Sequence, residues 1–127
     1  MRYLGETIAV ATLHRGRAIE QFLGRAGDSD VPGIRWVEIV PAGEAYRVVL
    51  HTSRDVGGEQ FRDLVEFPPL EESLEEDFGA QVAVAVEACD ALAAAHAKTG
   101  ATIDRWVNRG IAADEYLDYV RAGRPYA

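Results

Sequence analysis

The run IRWVEIVPAGEAYRVVLHTS, residues 34–53, alternates apolar and polar side chains on either side of a short break containing Pro41 and Gly43. Successive side chains of an extended chain point to opposite faces. Ile34, Trp36, Glu38 and Val40 therefore share one face, with Arg35, Val37 and Ile39 on the other. After PAGE, the run AYRVVLHTS sets Tyr46, Val48, Leu50 and Thr52 against Arg47, Val49, His51 and Ser53. Two β-rich runs joined by a four-residue turn predict an antiparallel hairpin.

The pattern extends outward from that hairpin. Gly57 and Gly58 turn the chain, and FRDLVEF, 61–67, predicts a third, shorter strand ended by Pro68 and Pro69, which cannot donate to a ladder. On the N-terminal side, Ile8, Ala11, Ala18, Ile19, Phe22 and Leu23 fall near one helical stripe within residues 6–24. Gly16 weakens that helix, and a strand over 7–13 followed by a short helix over 17–24 competes with it. Beyond the prolines, Leu74, Phe78, Val82, Ala85, Cys89, Leu92 and His96 recur at spacings of three or four. That stripe predicts one long core-facing helix of about 24 residues, closing near Gly100. Thr102 is placed to cap a short helix running through Trp106 to Arg109. Tyr116, Leu117 and Val120 mark a last helix over about 113–122, closed by Gly123 and Pro125. The expected fold is a single α+β domain over residues 1–127: N-terminal helix, three-stranded antiparallel meander, long helix packed on the sheet, two short C-terminal helices.

Composition narrows the class of function. The chain has 127 residues, 48% of them hydrophobic, enough for a real core and too many for a disordered segment. Cys89 is the single cysteine, so no intrachain disulfide and no thiolate cluster can form. Gly5 and Glu6 interrupt any apolar core of a leader, and Glu87 and Asp90 break the most apolar stretch, so a cytoplasmic location is expected. The net charge is −8, from 21 acids against 13 bases. Such a balance lacks the cationic footprint of a nucleic-acid binder and suits a basic protein partner.

The acidic stretch EFPPLEESLEED, 66–77, carries six carboxylates in twelve residues. Ser73 and Glu76 fit the S-x-x-E capping box, and acids in a first helical turn complement the helix dipole. Glu71 and Glu72 are surplus to that role. Glu71, Glu72, Glu75 and Glu76 are accordingly the candidate partner-binding surface. No EF-hand spacing, no H-E-x-x-H and no phosphate-binding glycine loop occurs, so neither metal nor cofactor is expected.

His51, Arg54 and Asp55 form the densest cluster of reactive types and define an alternative pocket. His51 and Ser53 share a strand face, but neighbours there stand about 6.5–7 Å apart, too far for an assured hydrogen bond. Cys89 sits on the apolar stripe and is expected to pack as a small buried hydrophobe. The C-terminal region is dense in Trp, Tyr and Arg, residues that serve equally at interfaces and in cores.

Two classes of function remain. One is a small acidic protein-binding domain without catalytic activity, of which an immunity- or antitoxin-type inhibitor of a basic toxin is a concrete form. The other is a small enzyme or ligand-binding domain with a pocket between sheet and helices near His51. A deep pocket containing His51 favours the second; a flat acidic face favours the first.

Overall fold

A computed structural model describes residues 2–28, 30–70 and 79–125 of the chain. The elements follow the order α1 (Glu6–His14), β1 (Ile19–Gly27), β2 (Pro32–Ala42), β3 (Ala45–Arg54), β4 (Ala80–Ala85), α2 (Ala88–Thr99), β5 (Val107–Asn108) and α3 (Ala112–Arg121), with a 3-10 turn at Leu64–Glu66. The fold is α+β, but its sheet is five-stranded and antiparallel, ordered β4-β3-β2-β1-β5. The three-stranded meander with a long helix and two short C-terminal helices is thereby overturned.

The central hairpin is present as expected, but its strands run on through Pro41 and Ala42, so the turn is Gly43 and Glu44 rather than the four residues 41–44. Val37 pairs with Leu50, Trp36 with His51 and Ile34 with Ser53, in continuous antiparallel register. Its alternation serves two cores rather than one. Val37, Ile39 and Val48, together with Ile19 of β1, pack under α1 and α2 against Leu13, Ala91, Leu92 and Ala95. Ile34 and Trp36 face the other way, toward Leu64, Phe67, Ala112, Tyr116 and Tyr119. Apolar residues at both odd and even positions of β2 are what a sheet covered on both sides requires.

Four elements differ from expectation, each for a physical reason. The N-terminal helix stops at His14; Gly16 turns the chain at φ +79°, and residues 19–27 form β1 instead of continuing the helix. Ile19 and Gln21 point to one core while Glu20 and Phe22 point to the opposite face, a period of two hidden beneath the three-and-four spacing of Ile19, Phe22 and Leu23. Residues 61–67 are a 3-10 turn with loop on either side, because Leu64 and Phe67, three apart, both reach the second core. The long helix is replaced in its described part by β4 and a shorter α2. Val82, Val84 and Val86 alternate with period two, and β-branched residues favour a strand over a helix there. Residues 102–109 carry no helix: consecutive Trp106 and Val107 are buried in opposite cores, and Val107 and Asn108 pair with β1. The final helix matches its expected span to within a residue at each end.

The capping box at Ser73, the acids Glu71, Glu72, Glu75 and Glu76, and the stripe residues Leu74 and Phe78 lie outside the described residues. Among the described helices none is long and apolar enough to cross a membrane.

Candidate functional site

On the α3 side of the sheet the side chains of three strands meet in one row. The register places Glu20 of β1 directly opposite Glu38 of β2, and Trp36 of β2 directly opposite His51 of β3. Cross-strand partners on one face bring their Cβ atoms to about 4.5–5.5 Å. The segment from Asp63 to Pro69 and the start of α3 do not close fully over this row. They leave a cleft of about 590 Å³ lined by Glu20, Trp36, Glu38 and His51 on the sheet, with Asp63, Glu66 and Arg109 at its far wall.

Each group in the row is held. The His51 imidazole stacks on the Trp36 indole, ring centroids 4.0 Å apart and planes within 9°. Its Nε2 lies 3.0 Å from Glu38 Oε1, which fixes the ring in the plane of the stack. The Cε1–Nδ1 edge of the imidazole lies against the Gly79 backbone, where a Cβ would come within 2.6 Å of His51 Cε1 and of Val49 Cγ1. Gly79 also sits at φ +89°, so the backbone conformation and the ring contact both ask for glycine.

Glu20 is only 5% exposed, and its Oε1 accepts a hydrogen bond from the Gly110 N–H at 2.5 Å. Burial pushes its carboxyl above the usual range, and the neighbouring Glu38 adds to that rise. The N–H groups of Gly110 and Ala112 and the charge of Arg109 act in the opposite direction. Trp36 adds an unusual feature: among the described residues its buried Nε1 is the side-chain polar atom without a hydrogen-bond partner. A buried donor left unsatisfied costs about 1–3 kcal/mol.

No protein-family model, curated protein or solved structure matches this chain. The function therefore rests on the geometry alone.

Of the alternative pocket residues, His51 lines the cleft, while Arg54 and Asp55 do not join it. Arg54 is exposed. Asp55, its side chain 2% exposed, accepts a hydrogen bond from the Tyr116 hydroxyl at 2.5 Å and another from Arg124 Nε at 2.8 Å. Arg124 also donates to the Gly57 carbonyl at 2.9 Å, so this group clamps the end of α3 to the loop after β3. Cys89 is exposed on the first turn of α2 rather than buried, because the inward face of that helix carries Ala88, Ala91, Leu92 and Ala95. His96 donates from Nδ1–H to the Ala101 carbonyl at 2.7 Å, closing the end of α2. Among the described residues no three His, Cys, Asp or Glu side chains stand together in a way that could hold a metal ion.

Sequence reasoning missed Glu20, Trp36, Glu38 and Arg109 as site residues. One signal was present: Glu38 is the lone acid on the otherwise apolar face of Ile34, Trp36 and Val40. A carboxylate placed there must find a partner across the sheet, and His51 is on the matching face of the next strand.

Proposed function

We propose that this chain is a ligand-binding domain that takes a small organic cation, an amine or a guanidinium, in the cleft between the sheet and α3. The observation that carries the reading is the cleft itself, with the held Glu38–His51–Trp36 group and the buried Glu20 on its floor. Its volume of about 590 Å³ falls within the range of about 300–1,000 Å³ typical of small-molecule sites. Among the described residues Glu20, Glu38, Asp63 and Glu66 line it against Arg109, so the local field favours positive charge. Carboxylates fixed by neighbouring hydrogen bonds are pre-organised to accept from a charged donor, and such bonds are stronger than neutral ones.

Binding is favoured over turnover by the state of His51. Its Nε2 is committed to Glu38, and no serine or cysteine is hydrogen-bonded to the ring among the described residues. A second reading, docking of a basic protein partner, keeps the support of the net charge of −8.

The test is a calorimetric titration with agmatine, spermidine and choline, using acetate and inorganic phosphate as anionic controls. An amine should saturate the protein at micromolar to low-millimolar concentration (about −4 to −8 kcal/mol). Glu38→Gln should weaken it at least ten-fold while leaving the far-ultraviolet circular dichroism spectrum intact. Saturation by neither agmatine, spermidine nor choline would overturn the cation reading.

A further inference from the structure

We propose that cation capture in this cleft is proton-linked: the entering cation drives off one proton held by the Glu20–Glu38 carboxylate pair. The inference rests on the cation-binding reading above and adds a regulatory consequence to it.

The geometry supplies the reason. Glu20 and Glu38 are register partners on the same sheet face, so their carboxyl groups share one small volume. Like charges placed together on one sheet face disfavour ionisation, and here that repulsion adds to burial in holding the Glu20 carboxyl above its ordinary range. The two environments differ. Glu38 has His51 Nε2 at 3.0 Å to receive a hydrogen bond from or share charge with, whereas Glu20 is 5% exposed beneath the loop that opens α3.

The groups facing Glu20 can be taken element by element. On β2 it faces Glu38, with His51 of β3 beyond that residue. At the turn before α3 it faces Arg109 and the N–H groups of Gly110 and Ala112, all three favouring the ionised form. Across the cleft stand Asp63 and Glu66, both acidic. Burial and Glu38 outweigh the turn, and the Glu20 carboxyl is held above its ordinary range. A cation seated between the two carboxylates reverses that balance. It supplies the compensating charge that burial denies, the Glu20 O–H bond breaks, and the proton leaves to bulk water as the carboxylate pairs with the ligand. No oxidation or group transfer is involved.

The sign follows from linkage. Below the ordinary glutamate range both free and bound Glu20 are protonated, and little proton is exchanged. As pH rises into the window between the ordinary value and the raised one, binding releases a proton and affinity climbs by up to about ten-fold per pH unit. Above the raised value the free protein is already ionised and the slope vanishes.

The experiment is calorimetry of agmatine binding from about pH 5.5 to about pH 7.5, in pairs of buffers that share a pH but differ in ionisation enthalpy, acetate and MES at the acidic end and phosphate and HEPES at the alkaline end. The expected result is release approaching about one proton per agmatine in the acidic part of that range, falling to none at its alkaline end. Glu20→Gln keeps the acceptor for Gly110 N–H and should abolish the buffer dependence. Agmatine heats that are the same in every buffer, with binding intact, would overturn the proton linkage alone. Absence of agmatine binding in all buffers would overturn the linkage, and absence of spermidine and choline binding as well would overturn the cleft reading with it.

Discussion

Replacing Asp55 with alanine should destabilise the fold without touching ligand binding, and the size of the loss can be worked from its partners. The carboxylate is 2% exposed and holds two donors. The first is the Tyr116 hydroxyl, on a side chain with no exposed surface that packs between Phe22, Phe67 and Tyr119. Stranding a buried hydroxyl there costs about 1–3 kcal/mol. The second donor is Arg124, whose side chain is 39% exposed and keeps its bond to the Gly57 carbonyl. Solvent screening limits that contribution to about 0–1 kcal/mol. The expected loss in Asp55→Ala is therefore about 1–4 kcal/mol, most of it from the hydroxyl. Urea unfolding measures it directly. In a Tyr116→Phe background the same change should cost less, with a coupling energy of about 1–2 kcal/mol, since the stranded hydroxyl is already gone. A loss under about 0.5 kcal/mol, or no coupling between the two sites, would refute the clamp. Loss of agmatine binding in Asp55→Asn, with stability retained, would return Asp55 to the functional site.

Two further expectations concern the packing on each side of the sheet. Leu92 is 5% exposed in the α2 core, and Leu92→Ala should cost about 2–5 kcal/mol on urea unfolding; a value under about 0.5 would mean that face is misplaced. Gly79→Ala places a methyl within 2.6 Å of both His51 and Val49 at a φ of +89°, so it should lower stability by about 1–3 kcal/mol and displace the imidazole. The His51 ring proton shifts, set by stacking on Trp36, report that displacement; unchanged shifts would show that Gly79 does not hold the ring.

The legible parts of this chain were those where one periodicity stood alone. The β2–β3 hairpin alternates strictly, and α3 carries Tyr116, Leu117 and Val120 with clear closing residues. Where two periods fit the same letters, the helical one misled. Ile19, Phe22 and Leu23 satisfy a helix, yet Ile19 and Phe22 enter opposite cores of a sheet covered on both faces. Residues 80–87 contain enough alanine for a helix, but Val82 and Val84 belong to an edge strand. Sheet covering is a tertiary fact, and no local window contains it.

The site was partly legible for the same reason. His51 stood out as a histidine on a strand face, and it does line the cleft. Arg54 and Asp55 followed it in the chain and were grouped with it by proximity in sequence. The strand ends there, and Asp55 turns into the α3 clamp. The partners that His51 does have, Trp36 and Glu38, come from the neighbouring strand through register, and Glu20 from one strand further. Register could be inferred for the hairpin; it could not be inferred for β1 once that segment was read as helix.

The most direct measurement is a heteronuclear NMR titration of the uniformly labelled protein with agmatine. The account predicts saturable shifts centred on the Trp36 indole N–H and the backbone amides of Glu20, Glu38, His51 and Gly110, absent in Glu38→Gln. Saturable shifts confined to residues away from the α3 side of the sheet, or no shifts with agmatine, spermidine or choline at millimolar concentration, would contradict it.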